Sequence, residues 1–324
     1  MISKILFFIE KPLNWLFAKS PFANKLDLSL AQDLVTHEIE RNGILLGNLL
    51  SKQNASIKPS SITSLKDVEF RVFSQFGEDG IIQYLISKID IPNPIFVEFG
   101  VENYNESNTR FLLMANNWNG MVIDSSEDNV NSIQSSAYYW MHGICAQKAF
   151  ITSENINDLI SSKGIKDDIG ILSIDIDSVD YWVWDSINII SPRIVICEWN
   201  GTFGPDLCVT VPKKNTDNRY KYHLSGAYYG ASYKALKKLG QEKGYSLLGS
   251  NSSGNNLFFI RNDLSHNFIN LIQNAEYLES TFCDFKDSNG EKLYISREER
   301  LNLLSNCDIY DISQGEVVKL KSII

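Results

Sequence analysis

The chain has 324 residues, which is enough for one large α/β domain with extensions or for two small domains. Hydrophobic residues make up 44% of it and charged residues 21%, a balance typical of a globular protein with a substantial core. The formal net charge of −9 excludes a wide nucleic-acid interface, which would need a basic face. The five cysteines are scattered without a CxxC pair, which favours a reducing, cytoplasmic compartment and opposes a structural zinc site.

The first 65 residues read as a helical arm and linker. Residues 1–25 combine lysines with apolar runs that are too short to span a bilayer. They fit either a peripheral contact with the inner face of the membrane, with Phe7, Trp15 and Phe17 at the interface, or a helix packed on the main domain or on a second subunit. The apolar spacing predicts a helix over 26–50, and the serine-rich stretch 51–64 predicts a linker.

The stretch 95–124 has the pattern of a βαβ nucleotide-binding unit. An apolar strand over 95–99 ends at Gly100, a polar loop and a helix over 107–117 follow, and a second strand ends on Asp124. Such a unit binds ligands at the carboxyl ends of its strands. Gly100 would let the backbone approach a ligand closely, and Asp124 would accept hydrogen bonds from ribose hydroxyls.

The loop after Gly100 indicates which nucleoside cofactor fits. The three spaced glycines of a dinucleotide site are missing, and Glu102 and Glu106 would repel a pyrophosphate from the helix N-terminus. The loop therefore opposes NAD and ATP, and it favours S-adenosylmethionine, which has a ribose but no phosphate. The alternative is an ordinary buried strand followed by an acidic loop.

The alternation of strands and helices continues to residue 261. It predicts strands over 143–149, 169–177, 193–200, 245–250 and 256–261, with helices over 73–88, 126–139, 156–162, 181–187 and 231–243. This order predicts an α/β fold, a doubly wound, mostly parallel, Rossmann-like sheet of seven strands with one antiparallel strand. We assign this domain to residues 66–263. Residues 264–324 are predicted to form a helical extension that covers the sheet or forms a homo-oligomer interface.

Several short motifs carry a resemblance to a known family. They are Ser74-Gln-Phe-Gly-Glu-Asp, Phe96-Val-Glu-Phe-Gly, Ser107-Asn-Thr, Asn117-Trp-Asn-Gly with Ile123-Asp124, and Leu172-Ser-Ile-Asp-Ile-Asp. Over residues 73–261 the chain resembles the FkbM family of S-adenosylmethionine-dependent methyltransferases. The resemblance implies the class I methyltransferase fold and O-methylation of a sugar in a surface glycan or glycolipid, within glycan or polysaccharide biosynthesis.

The motifs and the predicted strand ends together give the candidate cofactor site. The predicted cofactor-binding residues are Gln75, Glu98, Gly100, Asn103, Asn108, Asp124 and Ser125. Glu98, Gly100 and Asn103 are expected at the methionine end, where a carboxylate can meet the amino group of the cofactor.

Acidic side chains gather at the end of the fourth predicted strand. Asp175 and Asp177 would share one face of an extended segment, and Glu198 and Asn200 would do so on the next strand. Asp175, Glu198 and Asn200 are predicted as ligands of Mg²⁺, an arrangement similar to that of metal-dependent macrolide sugar methyltransferases. The alternatives are that Asp177 and Asp180 cap the following helix, or that the acids act as a base without metal.

The insert 201–229 supplies a further candidate base. It is longer than an ordinary α/β connection and is rich in aromatic and charged residues, which suit a sugar. His223 lies in it and would titrate near neutrality, although a loop histidine can also be merely solvated. The predicted catalytic residues are therefore Asp175, Asp177 and His223. The rival functions are an NAD-linked oxidoreductase and a non-catalytic assembly partner in glycan synthesis.

Overall fold

The computed structural model describes residues 25–213, 219–281 and 285–324, with side chains described from residue 34 onward. The predicted membrane contact of residues 1–25 falls outside this part, save for the backbone of Lys25. No helix in the described ranges has the length and apolar character needed to cross a membrane. Contacts divide the chain into one unit, Met1–Asn48, and a second unit, Leu49–Ile324.

The helix predicted over 26–50 is longer than expected. Helix α1 spans Lys25–Ser56, so the first six residues of the predicted linker are helical. Polar Lys52, Gln53 and Asn54 are good or tolerated helix formers, and the helix ends before Pro59. In this part of the prediction the serine-rich composition was misleading.

The second unit contains the seven-stranded sheet. Its strands are β1 (Ile95–Phe99), β2 (Asn119–Asp124), β3 (Ile144–Lys148), β4 (Asp167–Ile174), β5 (Ile190–Glu198), β7 (Tyr245–Ser250) and β8 (Asn256–Arg261), with β6 (Val209–Thr210) outside it. The spatial order is β3-β2-β1-β4-β5-β8-β7, and only β8 runs against the other strands. This confirms the predicted doubly wound, mostly parallel sheet and is the strand order of the class I methyltransferase fold.

Helices cover both faces of this sheet. They are α2 (Glu78–Ile86), α3 (Arg110–Asn116), α4 (Glu127–Ser135), α5 (Ala137–Met141), α6 (Ile156–Ser161), α7 (Asp180–Ser186), α8 (Arg219–Tyr222), α9 (Tyr233–Glu242), α10 (Ile269–Gln273) and α11 (Arg297–Leu304). Alternate residues of the central strands enter opposite cores, so that Val97 and Phe99 pack on one side of the sheet and Phe96 on the other. Strands that are buried on both faces read as continuous apolar runs, which is why they could be predicted.

The segment after Arg261 was predicted to be helical, but the structure shows that it also contains strands. Two further strands, β9 (Asp308–Asp311) and β10 (Glu316–Lys319), form a small sheet with β6 in the order β10-β9-β6. Leu304, Ile309 and Leu320 are fully buried in the core that contains Val97. The C-terminal segment is therefore packed into the same unit as the large sheet.

Candidate functional site

The carboxyl ends of the parallel strands open into a cavity of about 1000 Å³. Its lining includes Gly100 after β1, Asp124 at the end of β2, Phe150 after β3, Asp175 after β4 and Glu198 at the end of β5. The strand order reverses between β1 and β4, and an open α/β sheet binds ligands at such a switch point. The cavity therefore lies where the sequence pattern places a cofactor.

Gly100 allows β1 and β4 to approach each other closely at the floor of the cavity. Its φ is +71°, and a Cβ atom built on it would lie 1.6 Å from the carbonyl oxygen of Asp175. Its amide donates to the carbonyl oxygen of Ile123 at 3.0 Å, so the turn stays attached to β2. No other residue type fits this position without moving one of the two strand ends.

Glu98 organises the loop between β1 and α3. Its carboxylate, which is 4% exposed, accepts hydrogen bonds from the backbone amides of Asn108 (2.9 Å) and Thr109 (3.1 Å) and from the hydroxyls of Ser107 and Thr109 (both 2.5 Å). Burial raises the pKa of Glu98, and these hydrogen bonds oppose that rise. Because Glu98 occupies amides at the start of α3, they are not available to a phosphate.

Asp124 ties the loops after β1 and β2 together. One carboxylate oxygen accepts from the amide of Glu102 at 2.8 Å, and the other accepts from the amide of Ser126 at 2.8 Å and the side chain of Asn129 at 3.1 Å. Asp124 and Ser125 both line the cavity. An oxygen with one hydrogen bond can accept another, so Asp124 can still bind a hydroxyl of a ligand.

The Ser74-Gln-Phe-Gly-Glu-Asp motif presents Gln75 and Phe76 to the cavity. Buried Asp79 accepts from the amides of Val72, Phe73 and Ser74 at 2.7 to 2.8 Å, and burial raises its pKa to about 6. The carboxylate of Glu78 accepts from the amides of Phe76 and Gly77 at 2.9 Å, and from Asn251 and Asn256 on the hairpin of β7 and β8. These two acids hold the backbone of the motif, and Gln75 and Phe76 line the cavity.

Three carboxylates meet on the β4 and β5 side of the cavity. Oxygen atoms of Asp175, Asp177 and Glu198 lie within 4.8 Å of one another. Burial and the charges of neighbouring acids raise the pKa of both Asp175 and Glu198 well above the ordinary range. Oε2 of Glu198, a side chain that is only 5% exposed, has no hydrogen-bond partner in the described part of the chain. The group therefore requires a shared proton or a cation.

The way these acids come together differs from the prediction. Strand β4 ends at Ile174, before both aspartates, and Asp177 has a φ of +54°. The alternation of side chains along a strand therefore does not place Asp175 and Asp177 side by side; the turn before α7 does. Asp180, the first residue of α7, stabilises that turn by accepting from the amides of Ile176 (2.8 Å) and Ser178 (3.2 Å). The N-cap position of α7 is Val179, which makes no side-chain cap, so the predicted capping by Asp177 and Asp180 is not what the structure shows.

The insert contributes an arginine that the prediction did not select. Arg219, which is 6% exposed, donates to Asp177 at 3.1 Å and lies over the rings of Tyr220 and Tyr229 at 5.4 and 5.3 Å. Arg219 and Tyr220 both line the cavity. Arg219 is 42 residues beyond Asp177, and the insert was recognised only by its length and composition, so nothing in the sequence pairs this arginine with this acid.

Three predicted residues are not part of the cavity lining. The Asn200 side chain donates to the carbonyls of Ala227 (2.8 Å) and Tyr229 (2.9 Å) and accepts from the amide of Thr202, so it holds the insert. Nδ1 of His223 accepts from the amide of Ser225, and Asn103 caps its own turn at Asn105. The predicted set of Mg²⁺ ligands was Asp175, Glu198 and Asn200. Among the described residues, the side chain that joins Asp175 and Glu198 is that of Asp177.

The other predicted site residues are brought together. Those that line the one cavity are Gln75, Glu98, Gly100, Asn108, Asp124, Ser125, Asp175, Asp177 and Glu198. Residues of the C-terminal segment, which the prediction left out of the site, also line it: Thr281, Lys286 and Lys292. The roles of all these side chains in binding or catalysis remain predictions.

Comparisons with known proteins give a limited result. No family model matches the chain, and a search of curated proteins found no match. Among solved structures, the chain is similar to the N-terminal domain of EvdMO1 with SAH bound, at 9% identity and a TM-score of 0.33 over 51% of this chain and 72% of that chain. It is also similar to an S-adenosylmethionine-dependent methyltransferase from Clostridium acetobutylicum ATCC 824, at 10% identity and a TM-score of 0.37 over 57% and 90% of the two chains.

A third similar structure is the CurJ carbon methyltransferase, at 12% identity and a TM-score of 0.37 over 74% of this chain and 71% of that chain. All three TM-scores lie below 0.5, so these likenesses carry no argument about activity. The fold assignment rests on the strand order, and the functional proposal rests on the geometry of the cavity.

Proposed function

We propose that the chain is an S-adenosylmethionine-dependent methyltransferase that forms an O-methyl group on a sugar hydroxyl of a glycan or glycolipid. Membership of the FkbM family, on the motifs between residues 73 and 261, is part of this proposal. The observation that carries it concerns two acids at the switch point of the sheet: Glu98 occupies the amides before α3, whereas Asp124 lines the cavity at the end of β2.

The different roles of Glu98 and Asp124 distinguish a dinucleotide cofactor from a nucleoside cofactor without phosphate. A dinucleotide needs bare amides at the helix N-terminus for its pyrophosphate, and here Glu98 occupies the amides of Asn108 and Thr109. Asp124 lies one strand away, where the ribose hydroxyls of a nucleoside cofactor are bound in sheets of this type. A cofactor with a ribose and no phosphate therefore fits the cavity, and an NAD-linked oxidation does not.

The acidic group supports transfer to a hydroxyl. Methyl transfer requires that the sulfonium and the nucleophilic oxygen be held in line, and that a base take the hydroxyl proton. Asp175 is the proposed base, because burial and the neighbouring acids raise the pKa of its carboxyl and so make its carboxylate a stronger proton acceptor than an ordinary aspartate. Arg219 fixes Asp177 beside it, and the ring of Tyr220 offers an apolar surface to the acceptor.

A divalent cation also fits this group. Carboxylate oxygens are the ligands that Mg²⁺ prefers, and Oε2 of buried Glu198, which has no hydrogen-bond partner among the described residues, would become a ligand of the ion. Asp175, Asp177 and Glu198 would hold the ion, in place of the set with Asn200. When bound, such an ion lowers the pKa of a coordinated hydroxyl.

Calorimetric titration of the purified chain with S-adenosylhomocysteine and, separately, with NAD tests the proposal. We expect micromolar binding of S-adenosylhomocysteine and none of NAD, with the titration repeated with and without Mg²⁺. Binding of NAD alone would overturn the assignment in favour of the oxidoreductase. Binding of neither nucleotide would favour a non-catalytic assembly partner.

A further inference from the structure

Two lysines of the C-terminal segment lie side by side on the wall of the cavity. Lys286 and Lys292 are direct partners in an antiparallel β-bridge, and both line the cavity. The amide of Lys286 donates to the carbonyl of Ser225 at 3.1 Å, and the amide of Leu293 donates to the carbonyl of buried Phe285 at 2.7 Å. The backbone of this pair is therefore fixed against the insert and the core.

The two ammonium groups have no carboxylate partner among the described residues. Like charges directly opposite each other on paired strands are destabilising, so an adjacent acid would be expected. Within the described part of the chain, neither lysine forms an ion pair, although the cavity they line is rich in carboxylates. This arrangement leaves two positive charges available to a ligand.

The position of the lysines relative to the acids gives the cavity a polarity. Nζ of Lys286 lies 4.5 Å from the centre of the Tyr220 ring, and the guanidinium of Arg219 lies 5.4 Å from the centre of the same ring. Arg219 in turn is bound to Asp177 of the acidic group. Along this wall the acids at the strand ends are followed by Arg219, the ring of Tyr220 and Lys286, so negative charge at the strand ends gives way to positive charge beyond them.

We propose that the acceptor carries a phosphoryl group, which Lys286 and Lys292 bind while Asp175, Asp177 and Glu198 receive the hydroxyl to be methylated. This inference rests on the proposed function and specifies the form in which the sugar is methylated: as a phosphorylated precursor of the glycan or glycolipid, either a sugar phosphate or a sugar joined to a nucleoside diphosphate. A phosphate monoester carries about −1.5 to −2 charges at neutral pH, which matches two ammonium groups. The carboxylates repel the phosphoryl group, so the charge gradient orients the acceptor in one direction only.

Three probes test the proposal by calorimetry on the full chain with S-adenosylhomocysteine present: inorganic phosphate, a hexose 1-phosphate and a uridine-diphosphate hexose. We expect the wild-type chain to bind at least one of the two phosphorylated sugars and to bind the matching methyl hexoside more weakly. The double variant Lys286→Gln and Lys292→Gln should bind the same probe about tenfold or more weakly, because two charge-assisted contacts are lost. Replacing both lysines with arginine should restore part of the affinity.

Lys163→Gln is the matched control, since Lys163 is an exposed lysine outside the lining of the cavity. Inorganic phosphate and the two phosphorylated sugars distinguish a site for a free anion from a site for the whole acceptor. Failure of every phosphorylated probe to bind, or equal binding to the double variant, would overturn the phosphoryl site. Phosphate binding without binding of S-adenosylhomocysteine would instead support the anion site and contradict the proposed function.

Discussion

At the scale of single residues, the acids of this chain divide by what their carboxylates bind. Glu98, Asp79 and Asp180 accept backbone amides and shape the loops. Asp175 and Glu198 have each other and Asp177 as close neighbours, with too few donors for three charges. Burial alone therefore does not distinguish the acids that shape loops from the proposed base Asp175; the distinction we use is that Glu98, Asp79 and Asp180 accept backbone amides.

Asp124 is the residue on which the cofactor assignment depends most directly. Asp124→Ala should weaken binding of S-adenosylhomocysteine by roughly 1.5 to 3 kcal/mol for each lost hydrogen bond to the carboxylate. Titration calorimetry measures this change. Asp128→Ala is the control, because it removes the same charge from an exposed position on α4. Equal affinities of the Asp124→Ala and wild-type chains would contradict the prediction that Asp124 binds the ribose hydroxyls.

Asp79 should make stability depend on pH. Burial raises its pKa to about 6 in the folded chain, whereas an unfolded aspartate titrates near about 3.9. The folded chain therefore binds a proton that the unfolded chain releases, so the contribution of Asp79 to the free energy of unfolding is full below about pH 3.9 and is lost as the pH rises to about 6. The two-unit difference corresponds to a loss on the order of 3 kcal/mol.

The prediction is tested by the substitution Asp79→Asn. An asparagine oxygen can accept the same amides without titrating, so the difference in unfolding free energy between variant and wild type should change by about that amount between pH 4 and pH 7. Urea unfolding at a series of pH values gives this difference. A constant difference across the range would show that Asp79 does not titrate there. Asp128→Asn, at an exposed position, should give a constant difference.

At the scale of elements, the large sheet could be predicted and the small one could not. The central strands are buried on both faces, and their apolar runs are therefore visible in the sequence. Strand β6 has two residues and β9 and β10 have four each, which is too short for a periodicity to distinguish them from loops. Part of the site could not be predicted either. Lys286 and Lys292 line the cavity because of tertiary contacts, and no local sequence pattern indicates such contacts.

The close approach of β1 and β4 is tested by substituting Gly100. Gly100→Ala adds a Cβ atom at 1.6 Å from the carbonyl oxygen of Asp175 and places alanine at a φ of +71°. We expect a loss of at least about 3 kcal/mol in unfolding free energy and loss of S-adenosylhomocysteine binding, because the floor of the cavity must move.

A second glycine distinguishes the effect of the steric contact with Asp175 from the effect of the positive φ. Gly164 has nearly the same φ, +73°, but no atom lies within 4 Å of a Cβ built on it. Gly164→Ala should therefore lose only about 1 to 2 kcal/mol from the backbone conformation and keep cofactor binding. Urea unfolding and calorimetry on both variants measure these changes. Similar losses for the two alanine variants would mean that the contact with Asp175 contributes nothing.

At the scale of the whole molecule, the C-terminal segment has both a structural and a site role. Its residues Leu304, Ile309 and Leu320 belong to the core beneath the sheet, and its lysines line the cavity above the strand ends. The predicted boundary at residue 263 followed the end of the strand and helix alternation at Arg261, after which the sequence was predicted to be helical. Composition could not reveal that the tail returns to pair with β6, because that pairing depends on a two-residue strand inside the insert.

Two deletions make this a quantitative prediction. Removing residues 286–324 takes away three fully buried side chains, each worth about 1.5 to 3 kcal/mol, which together approach the whole stability of an ordinary domain. Such a chain should lose its cooperative thermal transition, as followed by circular dichroism. Removing residues 1–48 leaves the unit Leu49–Ile324 complete, so that chain should keep a cooperative transition and bind S-adenosylhomocysteine. If the chain without residues 286–324 unfolded cooperatively at the wild-type midpoint, the tail would be an appendage, and the buried contacts of Leu304, Ile309 and Leu320 would contribute little to folding.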